Sequence, residues 1–323
     1  MFLEIILFLL GLVCLIFGGN WFVDGAVGLA KKFHMSELLI GATVVSIGTS
    51  LPEVMVSTAS AIGGQGSIAY GNAVGSIICN TALISAITIA VRPGKVDRKS
   101  LKTPVIFFFI AAGIYVIVSY TTQDFSRWLG IALLVICVIY ILVNIKQSLD
   151  TDTDTVADTS EISEKEIPLW RCLLLLIAGA ALIALGADLL VDNGTLIAQD
   201  LGVPETVIAF TFIALGTSLP ELVTAVTSLV KGHSALSLGN VIGANVFNLV
   251  LVSGLAMTIA PFSLPESSII AGINASLIVD LPLMIIVMLI LVLPSLIKGK
   301  LYRVQGITLL AIYAAFCVYQ FTL

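Results

Sequence analysis

Two glutamates carry the chemistry this sequence can do. Gly48-Thr49-Ser50-Leu51-Pro52-Glu53 recurs 168 residues later as Gly216-Thr217-Ser218-Leu219-Pro220-Glu221, and each box lies inside a long apolar run. A carboxylate at the centre of a bilayer costs at least ~2.5–3.5 kcal/mol on insertion scales. Neither run holds a lysine or arginine, and His34 and His233 lie at the ends of such runs, so a cation or protons must balance the two acids. Thr49, Ser50, Thr217 and Ser218 place hydroxyl oxygens beside the carboxylates, and Asn80 and Asn248 add amide carbonyls from the next apolar run. Hydroxyl, carbonyl and carboxylate form a hard, all-oxygen ligand set, suited to Ca²⁺ or Na⁺ and not to zinc or copper. Each proline removes one amide donor and clashes with the preceding turn. The expected result is a broken helix whose carbonyls near Ser46, Ile47, Ala214 and Leu215 face a positive ligand.

The elements that hold these residues follow from composition. The chain has 323 residues, of which 59% are hydrophobic and 11% charged. Its mean hydropathy is +1.12. A soluble domain carries about 25% charged residues, so a soluble enzyme, a nucleic-acid-binding module and a disordered chain are excluded. Runs of about 20 apolar residues mark membrane helices. They predict an all-α polytopic membrane protein with spans near 3–30, 37–62, 67–90, 104–120, 128–146, 169–198, 205–230, 235–260, 281–297 and 303–321. Residues 262–279 read as a re-entrant hairpin or a long loop. Met1-Phe2-Leu3-Glu4 has no basic leader, so the first span is expected to remain uncleaved.

Fourteen of the 15 basic residues fall in the connections after the odd-numbered spans, leaving only Arg127 on the other side. Positive residues stay inside, so both termini are expected outside. The polar segment 148–167 is then cytoplasmic and divides the chain into five spans at 1–147 and five at 168–323. An odd number of spans per half makes the second half enter upside down. The offset of 168 residues also relates Gly71-Asn72 to Gly239-Asn240, Gly75 to Gly243 and Asn80 to Asn248. Together these predict two inverted five-helix repeats, as in many secondary transporters.

The remaining polar residues say less. The glycines of Gly71-Asn72-x-x-Gly75 and Gly239-Asn240-x-x-Gly243 let helices approach closely, and Asn72 and Asn240 are near enough to the boxes to be considered for ion contact. Asp24, Asp188, Asp192 and Asp280 read as interfacial acids. Cys14, Cys79, Cys137, Cys172 and Cys317 have neither metal-ligand spacing nor a disulfide framework. The acids of the linker match a calcium loop in part, but Thr155 stands where that loop needs glycine, so a solvated linker is the expectation.

The doubled GTSLPE boxes, each followed by GN-x-x-G, resemble the α-repeats of the calcium/cation antiporter superfamily, in particular the prokaryotic sodium/calcium exchanger type. The resemblance covers the whole chain. It implies a non-enzymatic antiporter of the cytoplasmic (inner) membrane, without a cofactor, in which Ca²⁺ and Na⁺ alternate at one central site. Carried over by position, the ion contacts are Ser46, Thr49, Ser50, Glu53, Ser76 and Asn80, with Ala214, Thr217, Ser218, Glu221 and Asn248 from the second half; Ser46 and Ala214 would contribute carbonyls. Some members carry an acid where this chain has Asn248 and a serine where it has Ala244, so the site here has two formal charges. Ca²⁺/H⁺ exchange and a cation channel are the alternative readings. An intramembrane hydrolase is disfavoured because Ser50 and Ser218 have no histidine or lysine beside them.

Overall fold

A computed structural model describes residues 2–151, 168–201, 216–265, 269–270 and 273–322. It is helical, with seven helices long and apolar enough to cross a membrane, or eight when one bent pair counts as a single span. In chain order the helices are α1 (Phe2–Lys32), α2 (Glu37–Thr49), α3 (Leu51–Ile62), α4 (Gly66–Val91), α5 (Arg98–Thr121) and α6 (Arg127–Thr151). The second half contributes α7 (Leu169–Asp200), α8 (Leu219–Val230), α9 (Ser234–Ile259), α10 (Ser276–Lys298) and α11 (Arg303–Thr322). Of the expected span 205–230, residues 205–215 lie outside the described residues. So does most of the linker 148–167.

The expected break in the second span is present. Helices α2 and α3 meet at 45° across Ser50, whose φ of −83° and ψ of 2° leave the helical range. Leu51-Pro52 then starts α3, where a missing amide donor costs nothing because first-turn amides have no helical acceptor. Ser218 (φ −88°, ψ 3°) precedes α8 in the same way, with Pro220 in its first turn. Wider π-turns interrupt α2 at Gly41–Val45, α4 at Asn80–Ser85 and α9 at Asn248–Val252. The last two begin at the paired asparagines. Single π-turns of this kind occur mostly at functional sites.

Glycine sets how closely the helices approach. Gly11, Gly18 and Gly25, seven apart on α1, meet Gly186, Gly179 and Cys172 on α7 in descending order, so these two long helices run antiparallel. A Cβ at Gly179 would lie 2.5 Å from the Phe22 amide nitrogen. On the α2–α9 contact a Cβ at Gly239 would lie 2.2 Å from the Leu38 carbonyl oxygen, and one at Gly243 2.4 Å from Ser46 Oγ. The glycines of the second GN-x-x-G motif therefore pack against the helix that carries the first box.

The connections sort into two groups. Those after the odd-numbered expected spans touch one another. Lys231 pairs with Asp24 at 2.7 Å, His233 Nδ1 meets Glu37 Oε1 at 2.7 Å, and the Val96 amide donates to Gly299 at 3.0 Å. Those after even-numbered spans form the second group. Strand β1 (Asp124–Phe125) pairs antiparallel with β2 (Phe262–Ser263), and the Leu264 amide donates to Gln123 at 2.8 Å. The segment 262–279 thus includes β2, a short ladder between β3 (Ile269–Ile270) and β4 (Ile273–Asn274), and the π-turn Ser276–Asp280 that opens α10. Asp24, read as a solvated interfacial acid, is instead the partner of Lys231.

The α2–α9 contact gives a packing test. Gly239→Ala forces a methyl into the Leu38 carbonyl and should cost about 1–3 kcal/mol, the range for overpacking. Thermal unfolding in detergent should show a lowered midpoint, while Gly113→Ala, where nothing described lies within 4 Å of the added carbon, leaves it unchanged.

Candidate cation-binding site

Both glutamates sit in the first turn of a helix that restarts in mid-span, and both are 0% exposed. The first turn is the amide-rich end of the helix dipole, which favours negative charge. It supplies only part of what a lost hydration shell supplied. Among the described residues no hydrogen-bond partner meets either oxygen of Glu53 or of Glu221, nor the hydroxyls of Ser50 and Ser218, nor the side-chain amide atoms of Asn80 and Asn248. All six residues are buried. Buried polar atoms are nearly always paired in native proteins, so this concentration of unpaired oxygen is a donor set for a group that is not part of the chain.

The two boxes come together. Gly48, Thr49 and Pro52 of the first line one cavity with Pro220 of the second. Two reciprocal hydrogen bonds lock the boxes to the GN-x-x-G motifs across the halves. Thr49 Oγ1 donates to Asn240 Oδ1 at 3.2 Å, and Thr217 Oγ1 donates to Asn72 Oδ1 at 3.2 Å. A threonine that spends its proton this way turns its oxygen lone pairs elsewhere, which is the orientation a cation needs. Asn72 Nδ2 also donates to the Glu53 carbonyl at 3.2 Å and to Ser57 Oγ at 2.8 Å. Asn72 and Asn240 therefore hold the two boxes in place. Sequence spacing placed both near the boxes without revealing which partner each would take, and Ser57, whose counterpart is Ala225, carried no signal.

Ser76 is buried on α4 one turn before Asn80, and its counterpart Ala244 is also buried. Ser46 departs from expectation. Its carbonyl accepts from the Ser50 amide at 3.0 Å and from Thr49 Oγ1 at 3.4 Å, because α2 stays helical through Ser46. In an unbroken helix the residue at 52 would bond the Gly48 carbonyl, four residues earlier, and not that of Ser46. Ser46 Oγ donates to the Thr43 carbonyl at 3.2 Å. Ala214 lies outside the described residues. A second anchor that the sequence did not announce is Tyr140, fully buried, whose hydroxyl donates to the Ala42 carbonyl at 2.6 Å inside the π-turn of α2.

Known proteins match this arrangement along the whole chain. The family model described as sodium/calcium exchanger protein matches residues 3–146 and 172–322. The chain is 34% identical over 315 residues to the uncharacterized membrane protein MJ0091 of Methanocaldococcus jannaschii, covering 95% of this chain and 94% of that one. It is 32% identical over 352 residues to the sodium/calcium exchanger MaX1 of Methanosarcina acetivorans, covering 98% of each. The solved structure of the sodium-calcium exchanger NCX_Mj soaked with Na⁺ and Sr²⁺ superposes with a TM-score of 0.79 at 30% identity, covering 97% of each chain. With seven or eight apolar spans and these matches, the chain is a multi-pass membrane protein that belongs to the sodium/calcium exchanger family.

Proposed function

We propose that this chain is a secondary active antiporter that exchanges Ca²⁺ for Na⁺ across the cytoplasmic membrane, by alternating access at the Glu53–Glu221 centre. The observation that carries this reading is the pair of fully buried glutamates whose four carboxylate oxygens have no partner among the described residues, beside buried hydroxyl and amide oxygens of the same kind. Such a set matches hard cations in charge and in donor type. The contacts on the ions would come from Glu53, Glu221, Thr49, Ser50, Thr217, Ser218, Asn80, Asn248 and Ser76, with the carbonyl of Ala214; the Ser46 carbonyl, bonded within its own helix, is left out.

The proposed frame is ten spans in two inverted halves, 1–147 and 168–323, joined by the cytoplasmic segment 148–167, with both termini outside. Three features support it. The breaks at Ser50 and Ser218, the π-turns at Asn80 and Asn248 and the left-handed glycines Gly64 (φ 75°) and Gly232 (φ 90°) all repeat at one offset. The two groups of connections touch among themselves, as helices that alternate direction require. Arg127, the one base expected outside, bonds the Ile259 carbonyl at 3.4 Å, within the second group. In sealed cells, Ser263→Cys should then react with an impermeant thiol reagent from outside and Lys300→Cys only after permeabilisation; the reverse pattern would invert the orientation.

Charge balance gives the mechanism its stoichiometry. Two carboxylates neutralise one Ca²⁺, whereas three Na⁺ leave one positive charge in excess. A 3:1 exchange moves net charge and gains about 2.3 kcal/mol per 100 mV from the membrane potential; a 2:1 exchange is neutral. Asn248, uncharged here, leaves the centre at two charges. In proteoliposomes loaded with Na⁺, ⁴⁵Ca²⁺ uptake should saturate and depend on the sodium gradient, and a current should accompany it. Uptake without current means two sodium ions. Uptake driven by a pH gradient without sodium means protons are the counter-ion, and flux without a counter-ion means a channel. Glu53→Gln and Glu221→Gln should each lower uptake about 100-fold or more, since a buried cation that loses one of its carboxylate partners is left partly uncompensated, a loss of about 3–5 kcal/mol for buried ion pairs. Undiminished uptake in both would overturn the site. Asn248→Asp, adding a third carboxylate, should increase the charge moved per Ca²⁺ or the apparent Na⁺ affinity.

A further inference from the structure

One buried amide has no part in the exchange chemistry above. Asn245 lies in the middle of α9, three residues before Asn248, and is 0% exposed. Its Nδ2 donates to the Thr81 hydroxyl at 2.7 Å and lies 3.7 Å from the Met288 sulfur on α10, while its Oδ1 has no partner among the described residues. Thr81 follows Asn80 and sits inside the π-turn Asn80–Ser85.

The bond exists in only one half. At the offset of 168 residues, Ile77 stands for Asn245 and Leu249 for Thr81. An apolar pair leaves no polar atom unpaired, whereas Asn245 leaves an amide oxygen unpaired in the core, an unfavourable arrangement. The two π-turns also differ in how they are closed. Ser253 Oγ donates to the carbonyl of Asn248 itself at 2.9 Å, but its counterpart Ser85 donates to the Thr81 carbonyl, one residue past Asn80. The hydroxyl that steadies the Asn248 end of one turn is therefore displaced from the Asn80 end of the other. There the grip comes from across the halves, through Asn245.

We propose that Asn245 is a positioning residue for the cation site: by holding the Thr81 hydroxyl it fixes the turn that presents the Asn80 side chain to the ions. Neither amide atom of Asn80 has a partner among the described residues, and the backbone turn beneath it sets its aim. The bond also ties a ligand of the first half to a helix of the second. A change in the relative position of the halves is thereby felt at Asn80. This inference rests on the reading that Asn80 contacts the transported cation, and supporting partners of this kind commonly contribute about 10–100-fold to metal affinity.

The test separates positioning from packing. Asn245→Leu, Thr81→Val, the double variant and Asn80→Ala are compared in proteoliposomes by the KM for Ca²⁺, and in detergent by thermal midpoint and its upward shift with Ca²⁺. Each single variant should raise the KM about tenfold, as should Asn80→Ala. The double variant, with both polar groups gone, should recover the midpoint of the parent and keep the raised KM and the reduced Ca²⁺ shift. A double variant that recovers the KM with the midpoint would make the bond purely structural and overturn the proposal. Normal KM values in Thr81→Val and Asn245→Leu beside a raised one in Asn80→Ala would overturn it while leaving the site intact. A normal KM in Asn80→Ala would remove Asn80 from the site, and this inference with it.

Discussion

The fold is arranged around two carboxylates that have been taken out of water and that, among the described residues, no basic side chain meets. A paired Lys or Arg would have satisfied Glu53 and Glu221 permanently and left nothing for an ion to do. With no such partner, the protein supplies only partial compensation, from helix-start dipoles and neighbouring oxygens. The remaining attraction is available to a mobile cation. In the proposed exchange one hard cation replaces another, and the deficit that makes the buried pair costly is what would let them trade places.

That requirement explains where the backbone departs from regular helix. Irregular turns in a membrane are tolerated only where protein surrounds them or water fills a cavity. The breaks at Ser50 and Ser218 and the π-turns that begin at Asn80 and Asn248 all fall at buried residues. The long outer helices α1 and α7 are uninterrupted. Rigidity around these turns comes from small, specific contacts. Thr49–Asn240 and Thr217–Asn72 join the halves by side chain, Tyr140 pins the π-turn of α2, and glycine at 239 and 243 brings α9 against α2.

The periphery follows a different rule. α1 and α7 face each other through glycines spaced by seven, while their other faces carry exposed leucine, isoleucine and phenylalanine. Polar pairing returns only at the ends of the helices. Lys231–Asp24 and His233–Glu37 connect elements of the two halves on one side, and the β1–β2 ladder does so on the other. The helix contacts near the centre are thus made by small residues and amides, and those near the water by charge and backbone pairing, as the solvation available at each depth requires.

The sequence by itself determined the residue chemistry and that the chain is helical and crosses the membrane several times. An acid, a proline and hydroxyls in a repeated box inside an apolar run leave few physical options, and run length with basic-residue placement bounds the spans. The break at Ser50 was legible because Pro52 and Gly48 act on their own helix. What only the tertiary structure decided was the pairing between helices. Spacing fixes which residues share a face of one helix, but not the register of that helix against its neighbours. So the sequence pointed to a free carbonyl at Ser46, which the fold instead bonds to Ser50. It left Asn72 and Asn240 without partners, and it gave no sign that Asn245 would reach Thr81. Those contacts depend on side chains from distant segments meeting at hydrogen-bond distance. That geometry is set when glycine-lined helices close on one another, and no single segment encodes it.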